Sequence, residues 1–382
     1  MPRSATTASA TTAAATSHEG SLVDPGGAPR LGRLPATPPL MDLDRAAVRS
    51  HGLPLPPHLA RLRLKQWQHF ALVLPDCFVG LALVDAAYLR KSWCHVVDRQ
   101  TGRQFEHERT APAPLLDLRL ARQLYDGRCH VRARGYCAFV HNHLAAGEHR
   151  LQVHIDGAAG RPEVHADLRC LHDRATIQPL DVVLPVGPDP DDNRGMYTHK
   201  VALPLEGSVH VGGRRHDASA ADSLAILDIH QAHYPRHTWW NWATGAGRDA
   251  SGRSVAFNLT RNVNPDDRAH NENALWVDGR LHPLGPASFS FDRARVLEPW
   301  GLRSGGGGGG GSEATAGNAA SAVDLVFTPG GERSEDLRLG LLRSVFHQPY
   351  GTFSGTLRPA GEPAALRVEG LFGVCEDHDA LW

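Results

Sequence analysis

From about Leu62 onward the chain is a succession of short runs in which apolar and polar positions alternate. Such runs cover Gln66–Leu74, Cys77–Val84, Trp93–Val97, Arg128–Val140, Glu148–Ile155 and Glu163–Leu168 in the first half. In the second half they cover Lys200–Leu205, Ser208–Val211, Ala225–Ile229, Ser254–Leu259, Leu275–Val277, Ala322–Phe327, Gly355–Leu357 and Ala365–Val368. A period of two is the pattern of a strand with one buried face, and Gly, Asp or Pro closes each run. The 39 glycines and 27 prolines punctuate the chain too densely for long helices. Only Leu115–Tyr125 reads as a short helix. Turns about every ten residues predict sandwiches or barrels, so the fold class is all-β.

Composition then sets the boundaries. Residues 1–60 are rich first in Ala, Thr and Ser and then in Pro and Gly, which predicts a disordered tail with order beginning near Leu62. The Pro- and Asp-rich break Pro185–Arg194 predicts the boundary between two domains, 61–190 and 191–382. Seven consecutive glycines, Gly305–Gly311, predict a surface loop over 303–322.

A net charge of −1 gives no electrostatic footprint for nucleic acid. The basic residues are 37 Arg and three Lys (Lys65, Lys91 and Lys200), a skew that reads as GC-rich coding. No window reaches 18 apolar residues, so no transmembrane segment is expected. The six cysteines form no CxxC pair and read as reduced, buried thiols. With no apolar secretory segment at the start, a cytoplasmic protein is expected. There is no GxGxxG, P-loop, GxSxG or HExxH, and no cofactor is expected.

Candidate chemistry gathers in three places. Between Leu227 and Gly245 lie Asp228, His230, His233, Tyr234, Trp240, Asn241 and Trp242. On a strand Asp228 faces away from Leu227 and Ile229, and the region reads as a Trp-walled pocket or as a Trp-rich core corner. His230, His233 and His237 have a ligand-like spacing, but Pro235 interrupts it and a strand separates His230 from His233, so no metal is expected. The second place is Asn271-Glu272-Asn273 with Asn258 upstream, either an oriented acid or base or a polar turn. The third is Gln348 with Glu376 and His378, which share a face if a strand runs to the end; Trp382 would pack as a plug.

In order along the chain, Lys65-Gln66-Trp67, Thr198-His199-Lys200 before Leu203-Pro204, Leu227-Asp228, Tyr234-Pro235 and Trp240-Asn241-Trp242-Ala243 form a pattern. Glu272-Asn273, Pro299-Trp300, Phe327-Thr328-Pro329, His347-Gln348 to Gly351, and Gly373 to His378 complete it. The pattern resembles the family called domain of unknown function 2804, distantly similar to tandem lipocalin-like proteins of the carotenoid hydratase and cyclase type. The resemblance implies two lipocalin-like antiparallel β-barrel domains in tandem, with the polar cluster inside the second.

Three functions fit. The first is a cofactor-independent hydratase, isomerase or cyclase acting on an apolar small molecule. Asp228, Glu272 and Glu376 would be its acids and bases, while His230, His233, Tyr234, Trp240, Asn241, Trp242, Asn258, Asn273, Gln348 and His378 would bind substrate. The second is a non-catalytic carrier of a lipophile. The third is a carbohydrate-binding or hydrolysing protein with a carboxyl pair across an open cleft.

Overall fold

The structure, a computed structural model, describes residues 20–305, 320–362 and 364–382. Residues 1–19 of the expected tail lie outside the described residues. From residue 20 to 56 regular structure is sparse: β1 (Gly32–Arg33), β2 (Arg49–Ser50) and β3 (Leu53–Pro54) are two-residue strands. Order nevertheless starts well before Leu62, because Leu22, Met41, Leu43 and Val48 are fully buried in a shared core. Prolines and glycines prevent a ladder here, but they do not prevent side chains from being buried. The one α-helix among the described residues, α1 (Pro57–Arg63), starts on Pro57, which suits the first helical position.

The first sheet is built from β4 (Leu64–Val73), β5 (Cys77–Asp85), β6 (Leu89–Asp98), β7 (Gln104–Pro112), β8 (Asp117–Arg119), β9 (Gly127–Ala133) and β10 (Tyr136–His143). It continues with β11 (Glu148–Ile155), β12 (Val164–Leu171), β13 (Leu180–Pro185), β14 (Gly195–Val211), β15 (Arg214–Ala218) and β16 (Leu224–His233). Its order is β7-β6-β5-β4-β16-β14-β12-β11-β10-β9-β8, with β13 and β15 also on β14 and β1 on β13. Where a helix was expected over Leu115–Tyr125 there is instead β8, paired with β9, so that Leu118 enters the core.

The second sheet comprises β17 (His237–Arg248), β18 (Ser254–Arg261), β19 (Ala274–Val277), β20 (Arg280–Pro283), β21 (Ala287–Ser290), β22 (Trp300–Gly305), β23 (Ala322–Leu339), β24 (Leu342–Arg358) and β25 (Leu366–Leu381). The order is β20-β19-β18-β17-β25-β24-β23-β22-β21. Both sheets are antiparallel and curled into half-barrels. Of the expected 303–322 loop, residues 306–319 lie outside the described residues; the segment joins the paired strands β22 and β23. The chain passes between sheets at Tyr234–Arg236 and not at the break near residue 190, because β14 and β16 complete the first sheet beside β4.

Alternation gives each sheet two apolar faces. One face of the first sheet carries Phe70, Leu81, Val131, Leu151 and Leu227 around its own core; one face of the second carries Phe257, Trp300, Phe327 and Phe353 around another. The opposite faces pack on each other through Val73, Phe78, Ile226, Trp276 and Phe372. Each of these side chains contributes about 1.5–3 kcal/mol on burial. The polar cluster therefore cannot sit inside the second barrel as expected, since apolar rings fill that space. It lies in the layer between the sheets.

Candidate functional site

A cavity of about 190 Å³ opens in this layer. Its floor comes from alternate positions on five strands and one loop. Trp67 and His69 of β4, Lys200 of β14, and Asp228 and His230 of β16 project from the first sheet. Trp240 and Trp242 of β17 with Glu376 and His378 of β25 project from the second; Glu272 arrives on the loop between β18 and β19. Cross-strand register sets these neighbours: Lys200 pairs with Asp228, Trp242 with Glu376 and Trp240 with His378. Half-buried Tyr88, Leu89, Leu337, Leu342 and Trp382 form an apolar rim.

The floor has two ionisable centres. In the first, the Lys200 ammonium stands 3.0 Å from Asp228 Oδ2 and 3.6 Å from Glu272 Oε1, with the Trp242 ring 5.4 Å away. Thr260 Oγ1 donates to Glu272 Oε1 at 2.7 Å. Burial works to discharge Lys200, but the two carboxyls outweigh it and its pKa is raised. Burial likewise works to raise Asp228, yet the Lys200 charge, aided by His230 and His69, holds it below the usual carboxylate range. Glu272 goes the other way: burial and the negative Asp228 exceed the pull of Lys200. One ammonium thus keeps one of two acids ionised and leaves the other biased towards its neutral form. Asp228 Oδ1, Glu272 Oε2 and His69 Nδ1 are buried without a hydrogen-bond partner among the described residues.

In the second centre, Trp240 Nε1 donates to Glu376 Oε1 at 2.7 Å and Gln348 Nε2 donates to Oε2 at 2.9 Å. Burial outweighs these donors and pushes Glu376 up to about 7. The nearby imidazoles stay neutral because burial depresses them, His69 to about 4 and both His230 and His378 to about 3. His230 is clamped by stacking on Trp67 at 3.8 Å and by the Tyr234 hydroxyl at 2.8 Å from its Nε2. His378 Nε2 lies 2.9 Å from Ser344 Oγ.

Of the residues singled out from sequence, Asp228, Glu272, Glu376, His230, Tyr234, Trp240, Trp242, Gln348 and His378 all line this one cavity. Four others lie off it. His233 and Asn241 occupy the opposite faces of β16 and β17, where Asn241 Nδ2 donates to Asp377 at 2.8 Å. Asn258 is a prop: its Oδ1 accepts from Trp242 Nε1 at 2.7 Å and its Nδ2 donates to the Glu272 carbonyl at 2.8 Å. Asn273 accepts from Thr260 N–H at 2.6 Å and donates to the Gly285 carbonyl at 2.8 Å, which fixes the loop carrying Glu272. None of the four lines the cavity; Asn258 and Asn273 instead brace Trp242 and the loop that carries Glu272.

Sequence reasoning did not assign Lys200, Arg333, Trp67, His69 or Lys91, all of which line the cavity. Arg333 donates through Nε to Glu106 Oε1 at 2.7 Å and its guanidinium lies 4.4 Å from the Trp93 ring. A signal for the lysines did exist. In a chain with 37 Arg only three Lys remain; Lys91 and Lys200 line the cavity, and Lys65 Nζ sits 4.4 Å from the ring of Tyr88 at the rim. No group of three or more His, Cys, Asp or Glu side chains suited to a metal ion occurs among the described residues. No helix among them is long and apolar enough to cross a membrane.

Among solved structures, the fold is similar to that of CghA with Sch210972, at 8% identity and a TM-score of 0.50 over 83% of this chain and 88% of that one. It is also similar to kievitone hydratase from Nectria haematococca, at 12% identity and a TM-score of 0.49 over 82% and 88%. At these identities the likeness is one of fold. No curated protein matches the chain in sequence. The family model described as domain of unknown function (DUF2804) matches residues 14–382, and the chain belongs to that family.

Proposed function

We propose that this protein is an enzyme of acid–base chemistry, of the hydratase, isomerase or cyclase type, acting without a cofactor on an apolar small molecule held between the two sheets. The observation that carries this reading is the divergence of buried acids in one cavity: Asp228 is driven down while Glu376 is driven up to about 7. Titratable groups whose surroundings push their pKa values apart can divide the roles of acid and base at one pH. In this scheme Glu376 delivers or accepts the proton at the substrate. The Asp228 carboxylate, fixed by Lys200, acts as base or as counter-charge to a developing cation. Glu272, biased towards its neutral form, donates a hydrogen bond. The rings of Trp67, Trp240 and Trp242 hold apolar carbon and favour positive charge over their faces. CghA, which shares the fold, is known with the small molecule Sch210972, in keeping with a ligand-holding architecture.

The apolar rim also suits a carrier, and the two readings separate cleanly. Native mass spectrometry with organic extraction identifies what the purified protein retains, and that molecule is then assayed for turnover. Asp228→Asn and Glu376→Gln should each lower kcat by about 10²–10⁴-fold, the usual reach of acid–base catalysis, with the ligand still bound. Unchanged turnover in both would remove the assignment, and retention without any turnover would favour the carrier. An open carbohydrate cleft fits poorly with the leucine and tryptophan rim.

A further inference from the structure

We propose that the rim of the cavity docks on an anionic lipid bilayer, from which an apolar ligand passes directly into the site; the inference rests on the apolar-ligand reading above. Two segments flank the opening. On α1, Leu59 and Leu62 are 42% and 45% exposed and lie three residues apart on one helix face. At the turn between β23 and β24, Leu341 is 80% exposed and immediately precedes Leu342, which lines the cavity. Bonds through the rim join the two segments. Lys65 Nζ donates to the Leu62 carbonyl at 2.6 Å and lies 5.6 Å from the Trp382 ring, while the Arg236 guanidinium donates to the carbonyl oxygens of both Trp382 and Leu341. A lone exposed leucine is ordinary on a protein surface. Three of them on segments bordering one apolar opening form a patch.

Charge favours a bilayer as the occupant. Arg61 and Arg63 on the same short helix have no carboxylate within ion-pair distance among the described residues. Burial, and then the like charges of Arg194 and Arg236, lower the pKa of Arg63, so other positive charge lies close to it. Asp85, whose charge acts on the adjoining Lys65, is itself paired with Arg90. Protruding leucines beside unneutralised arginines are the composition of an interfacial segment. A ligand of low water solubility resides in the bilayer that such a segment would contact.

The test is co-sedimentation of the full chain with vesicles of phosphatidylcholine alone and of equal parts phosphatidylcholine and phosphatidylglycerol, across a range of salt. Binding should require the anionic lipid and weaken with salt. Arg61→Ala and Arg63→Ala should each cost about five-fold in partitioning. Leu341→Asp should cost about ten-fold or more, since it puts a charge where an apolar side chain would insert. All three substitutions lie outside the cavity lining, so turnover of ligand supplied in detergent should be unchanged. Absence of turnover in the unsubstituted protein, with vesicle binding following this pattern, would count against the enzyme reading and not against the patch. Failure to sediment with anionic vesicles, or binding insensitive to the three substitutions, would overturn the proposal. So would concentration-dependent self-association abolished by those same changes, which would assign the patch to a second copy of the chain.

Discussion

Lys200 faces two acids with a single charge, and both acids are out of water. Removing the ammonium leaves Asp228 with no counter-charge, so Lys200→Met should destabilise the fold by about 3–5 kcal/mol. Adding Asp228→Asn to Lys200→Met should recover much of that loss, because the uncompensated charge is then gone. Urea midpoints of the two single variants and the double variant check this, and strictly additive losses would mean that the pair is not coupled. Glu376 gives a pH signature. Its folded pKa of about 7 stands above the ordinary 4.5, so the folded state is favoured only while the carboxyl is protonated. That contribution is complete below the ordinary value and is lost as the pH rises through the folded one. Relative to Glu376→Gln, the unsubstituted protein should lose on the order of 3 kcal/mol between those two pH values. Parallel stability curves would mean that Glu376 titrates like an exposed glutamate.

The ladder between β17 and β25 carries the cavity residues Trp240, Trp242, Glu376 and His378, and it depends on a glycine. A Cβ at Gly373 would lie 2.0 Å from the Thr244 carbonyl oxygen and 2.6 Å from the Gly245 Cα. Both obstacles are backbone, so no side-chain adjustment relieves them. Gly373→Ala should cost about 1–3 kcal/mol or more and displace Glu376 from Trp240, which thermal unfolding and a downward move of the Glu376 pKa would together report. Element by element, much of this geometry was legible as alternation. The sequence places Asp228 opposite Leu227 and Ile229, and Glu376 beside His378, as the strands do. Asn241 was expected to bind substrate, but it alternates with Trp240 and Trp242 and so lies on the other face of β17. Strand pairing was not legible. β4 meets β16 only through register contacts such as His69 with Asp228, more than a hundred residues apart in the chain. Without that pairing the faces can be read, but not what each face meets, so the cavity was expected inside one barrel. Lys200 was missed for the same reason, since its partners come from another strand and a distant loop.

At the scale of the molecule the site exists only where two sheets touch, so its integrity is the integrity of their contact. That contact is a continuous apolar layer reinforced by polar bonds from one sheet to the other. Trp276 Nε1 donates to the Gln178 carbonyl at 2.9 Å, Gln104 Nε2 to the Glu332 carbonyl at 3.0 Å, and Arg333 to Glu106. Separating the sheets would expose Phe78, Ile226, Trp276 and Phe372 together and leave Arg333 without its carboxylate. The two halves should therefore unfold as one unit, with a single denaturant transition that coincides in far-ultraviolet circular dichroism and in tryptophan fluorescence. The probes are well placed: Trp300 sits in the second core, Trp67 belongs to the first sheet, and Trp240 and Trp242 stand between them. Two resolved transitions would mean that each sheet is stable alone and that the cavity is a cleft between independent bodies. In that case a bound ligand should shift mainly the transition that separates them. With one unit, a ligand of the cavity should raise the whole transition without splitting it, by an amount that grows with the logarithm of its concentration.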